Sequence, residues 1–255
     1  MAESPPAVRG KTFDFPERSV VTPLGYESAV ACSSDSAACF LVTPAVPRDA
    51  DYLDNGSESS SPAARRSATF LYDPRRPVPS LGGRVMLPTT ANAAGPVDQR
   101  PVEDRHDVLC FTSPALTEPL EVTGHVKLTL FASSSAPDTD FTGKLVDVFP
   151  DGRAIFLTDG MIRARYRNSL AEPELLTPGE PYRLTMDLSV TSNVFLPGHR
   201  IRLEVSSSNF PRFDRNTNTG GIIADESEDQ ATVAVNRVLH GPGYLSQLTL
   251  PVISR

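Results

Sequence analysis

The stretch Leu120–Ala132 constrains this chain more than any other. Val122, Val126, Leu128 and Leu130 fall on one parity, and Glu121, Thr123, His125, Lys127 and Thr129 on the other. A period of two over so long a run describes a half-buried strand with one wet face and excludes a helix. The same alternation returns at Tyr182, Leu184, Met186 and Leu188, at Ile201, Leu203 and Val205, and at Leu248, Leu250 and Val252. No stretch of similar length carries a helical stripe, so the body of the chain reads as all-β.

The connections carry turn chemistry. Asp151-Gly152, between LVDVF and AIFLT, predicts a two-residue hairpin of the primed-turn kind. Pro178-Gly179 and Pro197-Gly198 punctuate the next strands, and Pro74, Pro77 and Pro79 send DPRRPVPSLGG across the surface without regular pairing. Ala68–Tyr72 and Val233–Leu239 read as strands, and Ala38–Val42 fits a short one. Thr217–Gln230, Gly-rich and then acidic, reads as an exposed loop. Many strands with irregular connections favour a Greek-key or jelly-roll sandwich, mostly antiparallel. The reading divides the chain at 66/67: residues 1–66 form a divergent, Pro-broken arm that covers a pocket, and residues 67–255 form the sandwich.

A net charge of −7 argues against nucleic acid, whose phosphates need a basic face. No apolar run approaches a membrane span, and MAESPPAVRG lacks a signal-peptide core. Cys32, Cys39 and Cys110 are an odd number without zinc-site spacing, which suggests reduced thiols in a cytoplasm, although Cys32 and Cys39 are placed so that they could pair.

Longer segments carry a resemblance. YDPRRPVPSLGG, DQRPVEDRHDVLCFTS, LEVTGHVKLTLFASSSAPDTDF, LVDVFPDGRAIFLTDGMIRARYR and PGHRIRLEVSSSNFPRFDRNTNTG, over Phe70–Ile253, resemble the C-terminal, non-catalytic domain of X-Pro dipeptidyl-peptidases and cocaine-esterase-like serine hydrolases. The resemblance implies a galactose-binding-like jelly roll that packs beside an α/β-hydrolase domain and helps wall its active site. The nucleophile elbow G-x-S-x-G of such hydrolases has no counterpart here, nor does the strand–helix alternation that would carry it. The expectation is therefore a stand-alone jelly roll that does not hydrolyse by the family mechanism.

Among candidate chemical groups, His106, between Arg105 and Asp107, is the one imidazole to test as an acid or base; an Arg–carboxylate pair bracing a strand start explains its neighbours equally well. His199 shares the parity of Ile201 and is read as a core histidine, while His125 faces water. Asp214, Asn216 and Asn218 mimic the start of a calcium loop, but Thr219 stands where Gly is required and no Glu follows at the twelfth position, so the segment reads as Asx turns and no metal is expected. Arg163, Arg165 and Arg167 alternate with Ile162, Ala164 and Tyr166 and are read as pairing internally.

Two functions follow. In the first, Tyr26, Tyr52, Phe70, Tyr72 and Met86 line a pocket for an apolar small molecule, which the protein binds and cyclises, in the manner of a polyene cycloaddition, by holding one reactive conformer without a cofactor. In the second, the chain is an accessory module of a separately encoded hydrolase. A cryptic hydrolase built on His106 is the third and least economical reading. Self-association into a homo-oligomer is expected to cover the face that a hydrolase domain would have occupied.

Overall fold

The computed structural model describes residues 38–41, 66–84, 93–240 and 243–253. Two antiparallel sheets face each other. The first has the order β1 (Ala38–Leu41), β10 (Gln247–Leu250), β4 (Leu120–Ser134), β9 (Ala234–His240) and β2 (Arg66–Tyr72), with β7 (Tyr182–Phe195) paired along the other edge of β4. The second has the order β3 (Leu109–Thr112), β8 (Arg200–Ser206), β5 (Asp140–Val148) and β6 (Ala154–Arg163). This is the jelly-roll-like β-sandwich expected from the strand pattern. Strand β1 comes from the stretch assigned to the N-terminal arm and pairs with β10. No helix among the described residues is long and apolar enough to cross a membrane.

The parity read from Leu120–Ala132 is the parity of the core. Val122, Val126, Leu128, Leu130 and Ala132 are buried, Leu184, Met186 and Leu188 of the neighbouring β7 continue the same face, and Ile201, Leu203 and Val205 meet them from the second sheet. Strand β7 then changes parity. Two of its residues lie opposite one residue of β4 between the His125–Val190 and Lys127–Asp187 pairs, and Ser189 takes a φ of 72°. That bulge turns Phe195 inward, where strict alternation from Leu188 would have turned it out.

Glycine sets the approach of the sheets at one edge. A Cβ at Gly160 would lie 2.2 Å from the Asp187 carbonyl oxygen, so β6 can close on β7 only because that side chain is missing. The hydroxyl of Thr158 donates to the Leu188 carbonyl beside it.

The β5–β6 hairpin forms as predicted, with different turn chemistry. Gly152 N–H donates to Phe149 O, so Pro150 and Asp151 are the central pair and Gly152 follows at φ 88°. Proline cannot take the positive φ that a primed turn needs at the first central position. Strand β6 also ends at Arg163, and residues Ala164–Tyr166 form a 3₁₀ turn instead of continuing the alternation of arginines along a strand.

Strand β5 is buried on both faces. Its inner side joins the sandwich core. Its outer side is covered by the chain between β2 and β3, which carries the one-turn helix α1 (Arg100–Glu103) and packs Val78, Val102 and Val108 with Leu81 and Cys110. Residues 97–99 run beside β6: Gln99 N–H donates to Ala154 O and Phe156 N–H to Val97 O.

Candidate functional site

The long connections gather at one end of the sandwich: residues 73–84 after β2, 135–139 between β4 and β5, 164–181 between β6 and β7, and 207–233 between β8 and β9. These loops contain little regular structure, and a buried polar network fixes them. Asn216 is its hinge. Its amide nitrogen donates to Asp138 Oδ2 at 2.6 Å and to Asp140 Oδ1 at 2.8 Å. Arg165 Nε meets Asp138 at 2.8 Å, and Arg163 engages both oxygens of Asp140 at 2.9 and 3.0 Å. Burial raises the Asp140 carboxyl above the ordinary carboxylate range, against the hydrogen bonds and charge of Arg163.

The network reaches outward through backbone atoms. Tyr72 Oη donates to Asn216 O at 3.1 Å, and Arg165 Nη1 to Gly221 O at 2.8 Å. Asn216 Oδ1 accepts from Asn218 N–H at 2.9 Å, the Asx turn read from the sequence, with Asn218 at φ 65°. The predicted exposed loop is thus exposed only in its later part; Asn216, Thr217 and Asn218 are buried. A second node lies nearby, where buried Asp159 accepts from Arg212 Nε at 2.7 Å, Arg84 Nη2 at 3.1 Å and Asn209 Nδ2 at 3.1 Å. Carboxylates so fully bonded to arginine and amide groups serve structure, and no proton donor or acceptor is left poised among them.

Large apolar side chains stand among the exposed polar residues of this end. Leu71, Leu170, Leu175, Phe210, Ile222 and Val233 are all exposed here, Leu170 at 92% and Ile222 at 68%. Among the described residues only Val190, Val194, Leu196 and Leu245 are comparable elsewhere.

The residues proposed from the sequence fall as follows. Phe70 and Tyr72 are buried in the sandwich core, Phe70 edge-on to Phe141 with ring centroids 6.5 Å apart. Both are core residues in place. Tyr26, Tyr52 and Met86 lie outside the described residues, as does Cys32. His106 is exposed, and the Arg105–Asp107 pair that flanks it closes on itself at 2.7 and 2.8 Å, the bracing arrangement. His199 is a buried core histidine, its Nδ1 2.8 Å from Asp147 and its ring centroid 4.3 Å from that of Phe149. His125 sits on the wet face beside Asp187 at 3.1 Å. The three arginines pair internally, Arg167 with Glu174 at 3.0 Å. No cluster of three or more metal-ligating side chains occurs among the described residues.

One group escaped the sequence reading altogether. Lys144 and Glu204 are buried on the outer face of the second sheet, with Gln99 completely enclosed above them. Both sit at positions where strand alternation predicts water. DFTGKLVDV carries Asp140, Thr142, Lys144 and Asp147, so nothing within it announced a strand buried on both faces.

Comparison with known proteins agrees with this architecture. Residues 33–249 match the family described as the X-Pro dipeptidyl-peptidase C-terminal non-catalytic domain. The cocaine esterase of Rhodococcus sp. (strain MB1 Bresler) is 57% identical over 201 residues, which is 78% of this chain and 35% of that protein. Among solved structures, an aminopeptidase from a marine sediment Thaumarchaeota archaeon superposes with a TM-score of 0.69 at 32% identity, over 76% of this chain and 34% of its own. An α-amino acid ester hydrolase gives 0.67 at 33% identity, over 73% of this chain and 32% of its own. The chain thus spans about a third of the length of each of these relatives. With a matched region that takes in both sheets and the loop end between them, the chain belongs to the X-Pro dipeptidyl-peptidase C-terminal non-catalytic domain family.

Proposed function

We propose that this chain is a non-catalytic docking module: it presents its loop end to an α/β-hydrolase domain and supplies part of the wall around that domain's substrate site. The observation that carries the reading is the apolar rim. Six large apolar side chains are exposed at this end, Leu71 near the end of β2 and Leu170, Leu175, Phe210, Ile222 and Val233 on loops that a buried ionic network holds in one arrangement. Exposed apolar surface of this kind, on a rigid and polar-anchored base, is the composition of an interface. The relatives support the same view, because each is a hydrolase or peptidase about three times as long as the matched region.

No observation among the described residues favours the cyclisation reading. Phe70 and Tyr72 are packed in the core, and a cavity of about 110 Å³ at the loop end has a mixed lining in which the charged Asp214, Arg215 and Glu226 stand with Pro74, Ile223 and Ala231. Among the described residues no set supports hydrolysis either, since His106 stands exposed beside a closed ion pair.

The test is co-purification with an α/β-hydrolase domain from the same host, compared with a Leu170→Asp/Ile222→Asp double variant. Both sites are exposed, so the fold should be unaffected. The expected result is association by the parent chain and at least tenfold weaker association by the variant. Absence of association with the parent, or equal association by both, overturns the assignment. A homo-oligomer that the same variant disperses would also overturn it, by giving the rim to a second copy.

A further inference from the structure

We infer that Glu204, set against Glu103, is a proton-controlled latch that holds residues 97–108 onto the outer face of the second sheet, tightly when the Glu204 carboxyl is protonated and loosely when it is ionised. This goes beyond docking at the loop end and does not depend on it.

The latch follows from strand register. Cys110 of β3, Glu204 of β8 and Lys144 of β5 stand side by side across three adjacent strands, all on the face away from the core. One step along, Thr112 and Arg202 form the next row. Glu103 comes down onto these rows from α1, and Arg202 Nη1 reaches its Oε2 at 2.6 Å while Arg202 Nε donates to Thr112 Oγ1 at 2.8 Å. Lys144 Nζ donates to Gln99 Oε1 at 3.1 Å, and the Gln99 amide nitrogen ties back to Leu81 O and Val97 O, each at 2.9 Å. Lys144, Arg202, Thr112 and Gln99 therefore all bond to the covering segment or its neighbours, and one exception remains.

The exception is the carboxyl pair. Lys144 approaches Glu204 Oε2 only to 3.5 Å, and both Glu204 oxygens and Glu103 Oε1 are buried without a hydrogen bond. A buried carboxylate left so bare is strongly disfavoured, whereas a proton between two carboxyls satisfies both. Glu103, Cys110, Lys144 and Arg202 are the ionisable groups facing Glu204 from the elements packed on it. With both carboxyls ionised the charges sum to zero, yet Lys144 is held off by its bond to Gln99. Burial pushes the Glu204 carboxyl up to about 7; Lys144 opposes the shift and the adjoining Glu103 adds to it.

The sign follows from linkage. A raised carboxyl keeps its proton in the closed state and loses it on release, so closure is favoured at low pH and weakens as pH rises from about 4.5 to 7. The readout is hydrogen exchange of the bonded amides of Gln99, Val102, Glu103 and Arg105, corrected for intrinsic rates, in the full chain. From a carboxyl at about 7 when closed and about 4.5 when open, opening should increase roughly ten- to thirtyfold between about pH 5.5 and pH 8. Glu204→Gln should flatten that rise, and His106→Ala, which removes the exposed imidazole in the same segment, should leave it intact. A flat profile in the parent chain overturns the latch. So does an equal rise in the β4 amides, which would mean global unfolding, or a Glu204→Gln variant that keeps the parent's slope.

Discussion

Replacing Asn216 with alanine removes the one neutral donor that lies between two buried carboxylates. Asp138 and Asp140 are both enclosed, and each takes one short bond from the Asn216 amide, at 2.6 and 2.8 Å. A hydrogen bond to a charged group contributes about 1.5–3 kcal/mol, and the loss is larger where the acceptor stays buried. The arginine partners remain in the variant, so neither carboxylate is left alone and the sum should fall near the lower end. We expect Asn216→Ala to lose about 3–5 kcal/mol. With a urea slope of about 2 kcal/mol per molar, the midpoint should move by about 2 M. The chain has no tryptophan, so far-ultraviolet circular dichroism is the suitable probe. Asn216→Asp sharpens the test, because a third carboxyl among two others must bind a proton to be tolerated; its folded pKa is raised, so the variant should lose stability as pH rises from about 4 to 8. A loss under about 1 kcal/mol in Asn216→Ala would refute the reasoning, and would mean that Arg163 and Arg165 alone satisfy the carboxylates.

Other outcomes follow from single contacts. Gly160→Ala places a methyl 2.2 Å from the Asp187 carbonyl oxygen and should cost about 1–3 kcal/mol by forcing β6 off β7, read as a lower thermal midpoint. Tyr72→Phe keeps the ring in the core and loses one hydrogen bond to Asn216 O, so about 1 kcal/mol should be lost in urea unfolding. His106→Ala should change stability by less than about 0.5 kcal/mol, since the imidazole is exposed and the Arg105–Asp107 pair closes without it.

Strand identity was legible because alternation is a local signal. Val122 to Ala132 declares its buried face within one stretch, and β4 keeps that face throughout even where its register with β7 shifts. Three features were less visible, each because its cause lies elsewhere in the chain. The change of face at Ser189 depends on an extra residue opposite β4, which no pattern within β7 announces. The burial of Lys144 and Glu204 depends on a covering segment that joins the sheet from residues 97–108, far from either strand in sequence. Phe70 and Tyr72 were ambiguous for the opposite reason. An aromatic pair on a strand fits a pocket wall or a core equally well until the facing strand is known, and here Phe141 faces Phe70.

The buried network and the apolar rim above it answer to one another. Loops 164–181 and 207–233 contain only short 3₁₀ turns, and chains of that kind lose considerable conformational entropy if they must become ordered on binding. Asp138, Asp140, Arg163, Arg165 and Asn216 impose that order beforehand, so under the proposed docking a partner meeting Leu170, Leu175 and Ile222 would have little ordering left to do. Buried ion pairs are poor investments in stability alone, because apolar replacements of similar shape often do as well. Their use at this end, under exposed leucine and isoleucine, is better explained by the need to hold one surface in one shape. The consequence is measurable. Asn216→Ala, under conditions where the sandwich stays folded, should weaken binding of an α/β-hydrolase domain even though Asn216 itself is buried and touches no partner. If binding is unchanged while stability falls, the network serves the fold alone, and the rim must be ordered by the partner.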